Sequence, residues 1–288
     1  MSIREKISRV STLIPFPKTS LELLTGSYDK NTTMQKIIAI AENDPALTAK
    51  ILSIANSPFY GFRWNVGSIP QALLTLGTDE VTGLILAYQL KQEIFSWDTK
   101  QKKFLQRLWK HSVVTAILAR LLKQYLQLHS DGEEFTAGLL HDIGKLVLAQ
   151  YFPEKLDDMQ KKMEKDKKTD LEAEMEVFEM THTEVGEILG TKWSFPEVLV
   201  ETMKYHHSLE LISNNKILPS VVRLSDIFAE EWQYGIGEQA SSFEIDNEVC
   251  WKNLQGAFPN LEGVHSREIG KMIRAQLQSS HDFINLFL

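Results

Sequence analysis

The sequence predicts an all-α protein, an N-terminal helical lobe packed on a helical bundle. Three observations carry this. Apolar residues recur with a helical period along the whole chain. No stretch alternates convincingly between apolar and polar residues, as a half-buried strand would. Caps and breakers such as Asp44-Pro45, Gly77 and Thr181-x-x-Glu184 cut the pattern into pieces of helix length. There is no internal repeat.

The elements follow in order. "MQKIIAIAENDPALTAKILSIANS" (34–57) predicts two helices parted at Asp44-Pro45, because Asp caps a helix and Pro fits its first turn. "SPFYGFRWNVGSIP" (57–70) predicts a loop, packed down by Phe59, Tyr60, Phe62 and Trp64. "SIPQALLTLGTDEVTGLILAYQL" (68–90) predicts a helix ending near Gly77. Another starts at Thr78, with Asp79 and Glu80 complementing its positive end. These pieces form a first unit, residues 1–95.

The second unit, 96–231, opens after a polar entry, "DTKQKKF". "FLQRLWKHSVVTAILARLLKQYL" (104–126) predicts a long amphipathic helix. Leu108, His111, Thr115, Leu118 and Leu122 share one stripe, which places His111 on the buried side. A polar link, "HSDGEE", follows, with His129 and Asp131 as turn residues. "GLLHDIGKLVLAQYF" (138–152) reads as one helix, apolar on nearly all sides and therefore buried. "DLEAEMEVFEMTHTEVGEILG" (170–190) continues helical, restarting at a capping box of Thr181 and Glu184. "WSFPEVLVETMKYHHSLE" (193–210) opens on a second box, Ser194 with Glu197, and sets His206 on the face of Leu199, Thr202 and Met203. "ILPSVVRLSDIFAEEW" (217–232) places Asp226 beside Val222 and Ala229. Residues 232–288 predict a C-terminal helical extension with no assignable chemistry.

Composition narrows the setting. A chain of 288 residues with 43% hydrophobic content can bury a sizeable core. One cysteine, Cys250, excludes an internal disulfide and fits a reducing compartment. "MSIREKISRVSTLIPFP" has no apolar stretch of signal-peptide type, and no run is long enough to span a bilayer. The expected location is the cytoplasm. A net charge of −7 argues against a nucleic-acid partner, which needs a basic face. "KKMEKDKK" (161–168) interleaves its lysines with acids and reads as a solvated helix end or loop.

The chemistry lies in ionisable residues on apolar faces: His111, His141, Asp142, His206, His207 and Asp226, with His182 at a helix start. Six of the eight histidines fall between 111 and 207. An unpaired carboxylate in a core costs several kcal/mol, roughly. A pair between Asp142 and Lys145 along one helix returns only about 0.2–0.5 kcal/mol. A divalent ion accounts for the acids and the imidazoles together. Nitrogen and oxygen ligands without thiolate suit Fe, Mn, Ni, Co, Zn or Mg. Lys145 would face the same site and hold a phosphate as a point charge. Plainer readings stand beside this one. His111 or His182 alone reads as a hydrogen-bonded core histidine, and His206-His207 as a wet helix end. Asp226 could pair with Arg223, and Lys145 could snorkel to solvent.

The order His111, His141-Asp142, Asp226 resembles the HD superfamily of metal-dependent phosphohydrolases, with "LLHDIGK" the most specific local match. "NDPALTAKILSIANSPFYG", "SIPQALLTLG" and "HTEVGEILGTKWSFPEVLVETMKYHH" are similar to the HDOD family, the output-type branch of that superfamily. The resemblance covers residues 13 to 230. It implies an HD-type helical bundle and a bacterial role in signalling or regulation. It implies His111, His141, Asp142 and Asp226 as ligands of a first metal. His182, His206 and His207 match histidines that the related HD-GYP phosphodiesterases use for a second ion. Lys145 matches their phosphate-contacting lysine. The chain departs from those enzymes in two places. "SLELISNN" follows His207 without Gly-Tyr-Pro, and Arg107 stands where an acidic ligand of a third ion would be. Two functions are thus expected. One is a binding module for a signalling protein or a small phosphate-containing ligand. The other is a phosphodiesterase-like hydrolase with a mono- or binuclear site. Either way, the first ligand set should converge on one point and the second on a neighbouring one.

Overall fold

The computed structural model describes residues 3–9, 18–25, 30–128, 132–236, 243–279 and 281–287, and His129 and Asp131 lie outside them. No strand occurs among the described residues. The first helices are α1 (Ile3–Arg9), α2 (Lys18–Thr25), α3 (Lys30–Glu42), α4 (Pro45–Ala55), α5 (Ile69–Leu76) and α6 (Thr78–Ser96). The bundle follows as α7 (Lys102–Leu126), α8 (Glu133–Leu140), α9 (Ile143–Tyr151), α10 (Pro153–Asp166), α11 (Asp170–Phe178), α12 (His182–Lys192), α13 (Glu197–Tyr205) and α14 (Ile217–Glu231). Three more close the chain: α15 (Val249–Ala257), α16 (Ser266–Ser279) and α17 (His281–Phe287).

Local chemistry places most boundaries where the sequence puts them. Asp44 caps α4, its Oδ1 accepting from the amides of Ala46 at 2.9 Å and Leu47 at 3.0 Å. Gly77 ends α5 with φ +90°, a backbone that favours glycine. The Thr181–Glu184 box forms in both directions at the start of α12, and a second box, Thr169 with Glu172, starts α11. The box expected at Ser194 and Glu197 does not form. Ser194 is left-handed at φ 56° and belongs to the end of α12, donating its amide to Thr191 O, while Pro196 leads into α13. The lysines of 161–168 cover the end of α10 and the link after it, largely exposed, with Lys162 and Lys168 paired to Glu176.

The loop between α4 and α5 is fastened at Tyr60. Its hydroxyl donates to Glu80 at 2.6 Å, and the Arg120 guanidinium reaches both groups. Phe62 stacks on Tyr60 and Trp64 on Phe62, with centroids 5.9 and 5.4 Å apart. Trp64 is the outer end of this stack and is 62% exposed, so it does not pack down as expected. The anchor holds the stack only at its inner ring.

Two hydrophobic cores result. The smaller contains Ile37, Leu47, Ile51, Ile69 and Ala72 of α3–α5. The larger centres on α7, which packs against α8 and α14. Helix α6 serves both, giving Val81 and Ile85 to the small core and Leu84, Leu90 and Ile94 to the large one. Trp251, Leu254, Ile269 and Ile273 of α15 and α16 extend the large core. Helix α17 touches both α4 and α7, and the Phe287 carbonyl accepts from Trp109 Nε1 at 3.0 Å.

Candidate metal centre

The segment expected as one helix is two. Helix α8 stops at Leu140, α9 starts at Ile143, and His141 and Asp142 form the turn between them. Two glycines explain where the turn sits. A Cβ on Gly138 would lie 2.7 Å from Ala116 Cα on α7, and one on Gly144 would lie 2.0 Å from the His182 carbonyl oxygen. Their bare backbones let α8 close on α7 and α9 close on the start of α12. The His-Asp turn is thereby held between His111 on one side and His182 on the other.

Most of the imidazoles are tied down from outside. His141 Nδ1 donates to Gly138 O at 2.7 Å. His206 Nδ1 faces Thr202 O at 3.0 Å and Met203 O at 3.1 Å. His182 Nδ1 donates to Glu174 Oε2 at 2.7 Å. A ring whose Nδ1 is a donor presents Nε2 as its free lone pair when neutral. All three Nε2 atoms turn toward Asp142.

These atoms form two groups around one carboxylate. Asp142 Oδ2 lies 3.6 Å from His111 Nε2 and 3.5 Å from His141 Nε2. The two Nε2 atoms are 3.3 Å apart, and Asp226 Oδ1 is 3.1 Å from His111 and 3.8 Å from His141. Asp142 Oδ1 lies 3.1 Å from His182 Nε2 and 3.7 Å from His206 Nε2, which are 3.4 Å from each other. The His207 ring centroid stands 4.2 Å from that of His206 and 5.2 Å from that of His182. So the structure brings together all seven residues that the sequence singles out, with Asp142 bridging the two sets. His207 is half-buried and the other six are buried.

Charge is balanced partly by protein. Lys145 does not snorkel. Its Nζ is buried, 2.8 Å from Asp142 Oδ2 and 2.7 Å from Asp170 Oδ2. Arg223 does pair with Asp226, at 2.6 Å. Burial opposes the charged forms of Asp142 and Asp226. Lys145 and the histidines outweigh it at Asp142, as His111 and Arg223 do at Asp226, so both carboxyls titrate well below the usual range. Burial pushes His141 down to about 3 and His207 well down, so both are neutral. His111 and His182 are raised, because Asp226 and Glu174 respectively overcome their burial.

The donors fit a metal. Asp142 Oδ1 and His207 Nε2 are buried with no hydrogen-bond partner among the described residues. His182 and His206 turn Nε2 toward the Asp142 carboxylate with Nδ1 engaged behind, the orientation in which an imidazole and a carboxylate can share a cation. Ligand atoms bonded to one ion at about 2.0–2.2 Å stand roughly 3–3.5 Å apart, much as these do.

Two carboxylates that contact the candidate site escaped the sequence reading, Asp170 and Glu174 on α11. They sit one turn apart in "DLEAEMEVFE", where acids alternate with apolar residues and no single face stands out. The available signal was that Phe178 stands one turn after Glu174, on the same helical face.

Residues 13–209 match the HDOD domain family. The crystal structure of an HDOD domain protein of unknown function from Geobacter sulfurreducens is 24% identical. It covers 99% of this chain and 95% of its own, with a TM-score of 0.79. A candidate phosphohydrolase from Shewanella amazonensis SB2B is 19% identical, covering 99% and 96%, with a TM-score of 0.66. A candidate signal transduction protein from Marinobacter aquaeolei VT8 is 20% identical, covering 100% and 61%, with a TM-score of 0.68. These likenesses show a shared all-helical fold. An uncharacterised protein of Treponema pallidum (strain Nichols) is 22% identical over 210 residues, 70% of this chain. The chain spans only 39% of that relative's length.

Proposed function

This chain belongs to the HDOD family, and from that premise we propose that it is a bacterial regulatory module whose bundle holds divalent metal at Asp142. In this reading the metal-loaded bundle engages a signalling protein or a small phosphate-containing ligand. The supporting observation is the bridging carboxylate, with Oδ2 toward His111 and His141 and Oδ1 toward His182 and His206. His111, His141, Asp142 and Asp226 would hold one ion. Asp142, His182, His206 and His207 would hold a second. When bound, a divalent ion supplies the positive charge these donors lack and can polarise a phosphoryl oxygen. Among the residues themselves, Arg223 holds Asp226 and Lys145 holds Asp142 in place.

The clamp on Lys145 weighs against turnover that uses this lysine. Lys145 is clamped by two carboxylates, so a phosphate would have to displace Asp142 or Asp170 to reach it. A metal-dependent phosphohydrolase is the second reading, favoured by the same Lys145 beside a two-centre donor set.

Elemental analysis of protein purified without chelator tests the premise, with thermal melts after chelation and after adding back Mn, Fe, Ni, Co, Zn or Mg. At least one ion per chain is expected, lost in His141→Ala and Asp142→Ala. Absence of metal, with no melting shift from any ion, would overturn the reading. A panel of phosphomonoesters and phosphodiesters then separates the two functions. No metal-dependent turnover is expected of the module, and turnover that needs Lys145 would establish the hydrolase.

A further inference from the structure

The geometry points to Glu174 as a positioning residue that sets which nitrogen of His182 faces Asp142. This inference rests on the metal-holding reading above. Glu174 and His182 are both fully buried. Glu174 Oε2 accepts two hydrogen bonds, one from the His182 backbone amide and one from His182 Nδ1, each at 2.7 Å. A carboxylate only accepts, so Nδ1 must carry the proton, and Nε2 is the nitrogen directed at Asp142 Oδ1. The two bonds grip both the backbone and the ring. That fixes the ring's rotation as well as its tautomer, as carboxylates do behind metal-bound imidazoles.

The other features of Glu174 agree. Its Oε1 accepts no hydrogen bond among the described residues, so its hydrogen bonding is directed at His182. Its helix, α11, packs on α10, and its first residue, Asp170, holds Lys145 at 2.7 Å. One turn of α11 thus steadies a ligand candidate and the buried lysine from behind. The rival explanation is that Glu174 merely caps α12, since His182 is the first residue of that helix. Capping requires only the backbone bond. Positioning requires the bond to the ring.

The test compares wild type, Glu174→Gln and Glu174→Asp as full-length protein. Calorimetric titration with Mn or Zn, each alone, should show binding weakened by roughly 10–100-fold in Glu174→Gln, with partial recovery in Glu174→Asp. Long-range nitrogen–proton spectra of the metal-free protein should show a slowly exchanging proton on His182 Nδ1 in wild type, lost or shifted in Glu174→Gln. If Glu174→Gln melts lower but binds metal as wild type does, Glu174 is only a cap and the inference fails. If Glu174→Gln does not fold, the wild-type spectrum decides, and a bare Nδ1 on His182 overturns the inference. If wild type binds no metal, the metal-holding reading fails, while the same spectrum still tests the grip of Glu174 on the ring.

Discussion

Gly144 shows how much one missing side chain can decide. A Cβ there would meet the His182 carbonyl oxygen at 2.0 Å, and backbone cannot yield as a side-chain end can. Gly144→Ala should therefore destabilise by about 1–3 kcal/mol, as overpacking does, and should disturb the His182 side of the site. Gly256→Ala is the control. Nothing lies within 4 Å of its added Cβ, so it should be neutral or gain up to about 1 kcal/mol from helix propensity. Denaturant melts of the two variants check both signs. Glu230 yields a pH prediction at the same scale. Burial first, then the Asp226 carboxylate, push it up to about 7, against the pull of Arg223, from an ordinary value of 4.5. Asp170 raises it further and His111 lowers it. The folded state thus prefers the protonated form. That stabilisation is complete below the unfolded value and is lost as pH rises through about 7. Glu230→Gln should gain on wild type between pH 5 and pH 8, by up to about 3 kcal/mol. Melts of metal-free protein at the two pH values measure it, and an equal difference at both would contradict it.

At the scale of elements, two motifs that read alike in sequence behave differently. Thr181 caps α12 and Glu184 returns the bond. Thr181→Ala should cost about 1 kcal/mol. Ser194 caps nothing, because it terminates α12 with a left-handed backbone at φ 56°. Ser194→Gly should stabilise by about 0.5–1 kcal/mol, since glycine adopts that conformation without penalty. Equilibrium unfolding of both variants checks the contrast. The Thr181 box was legible because an isolated helix start needs only local residues. The Ser194 box was misread because α12 ends on the very residues that could have started α13. The long helix over 138–152 was misread for a related reason. Its composition is helical throughout, and only the approach of α7 and α12 to Gly138 and Gly144 breaks it at His141-Asp142.

Across the whole molecule, the two cores share walls. Helix α6 contributes to both, and α17 touches α4 and α7. Unfolding either core exposes a face of the other. The chain should therefore unfold in a single cooperative transition. Calorimetry checks this, because two resolved transitions, or a calorimetric enthalpy well above the van't Hoff value, would show that the cores melt separately. No helix among the described residues is long and apolar enough to cross a membrane.

Sequence by itself determined the helical class, most boundaries, and the seven ionisable residues that the fold brings together. Helical period, caps and breakers act between near neighbours, so they can be read in a line. A histidine or aspartate on an apolar face announces itself by its cost. Tertiary structure alone decided how the charges are compensated. Lys145 lies between Asp142 and Asp170 instead of in solvent. Glu174, one acid among several in α11, faces the His182 ring. Asp142 divides its two oxygens between two histidine pairs. Some of these partners, such as His111 and His206 around Asp142, come from helices far apart in the chain. They meet because glycines at 138 and 144 permit a backbone approach that a side chain would block, and pairwise closeness of that kind leaves no periodic trace in the sequence.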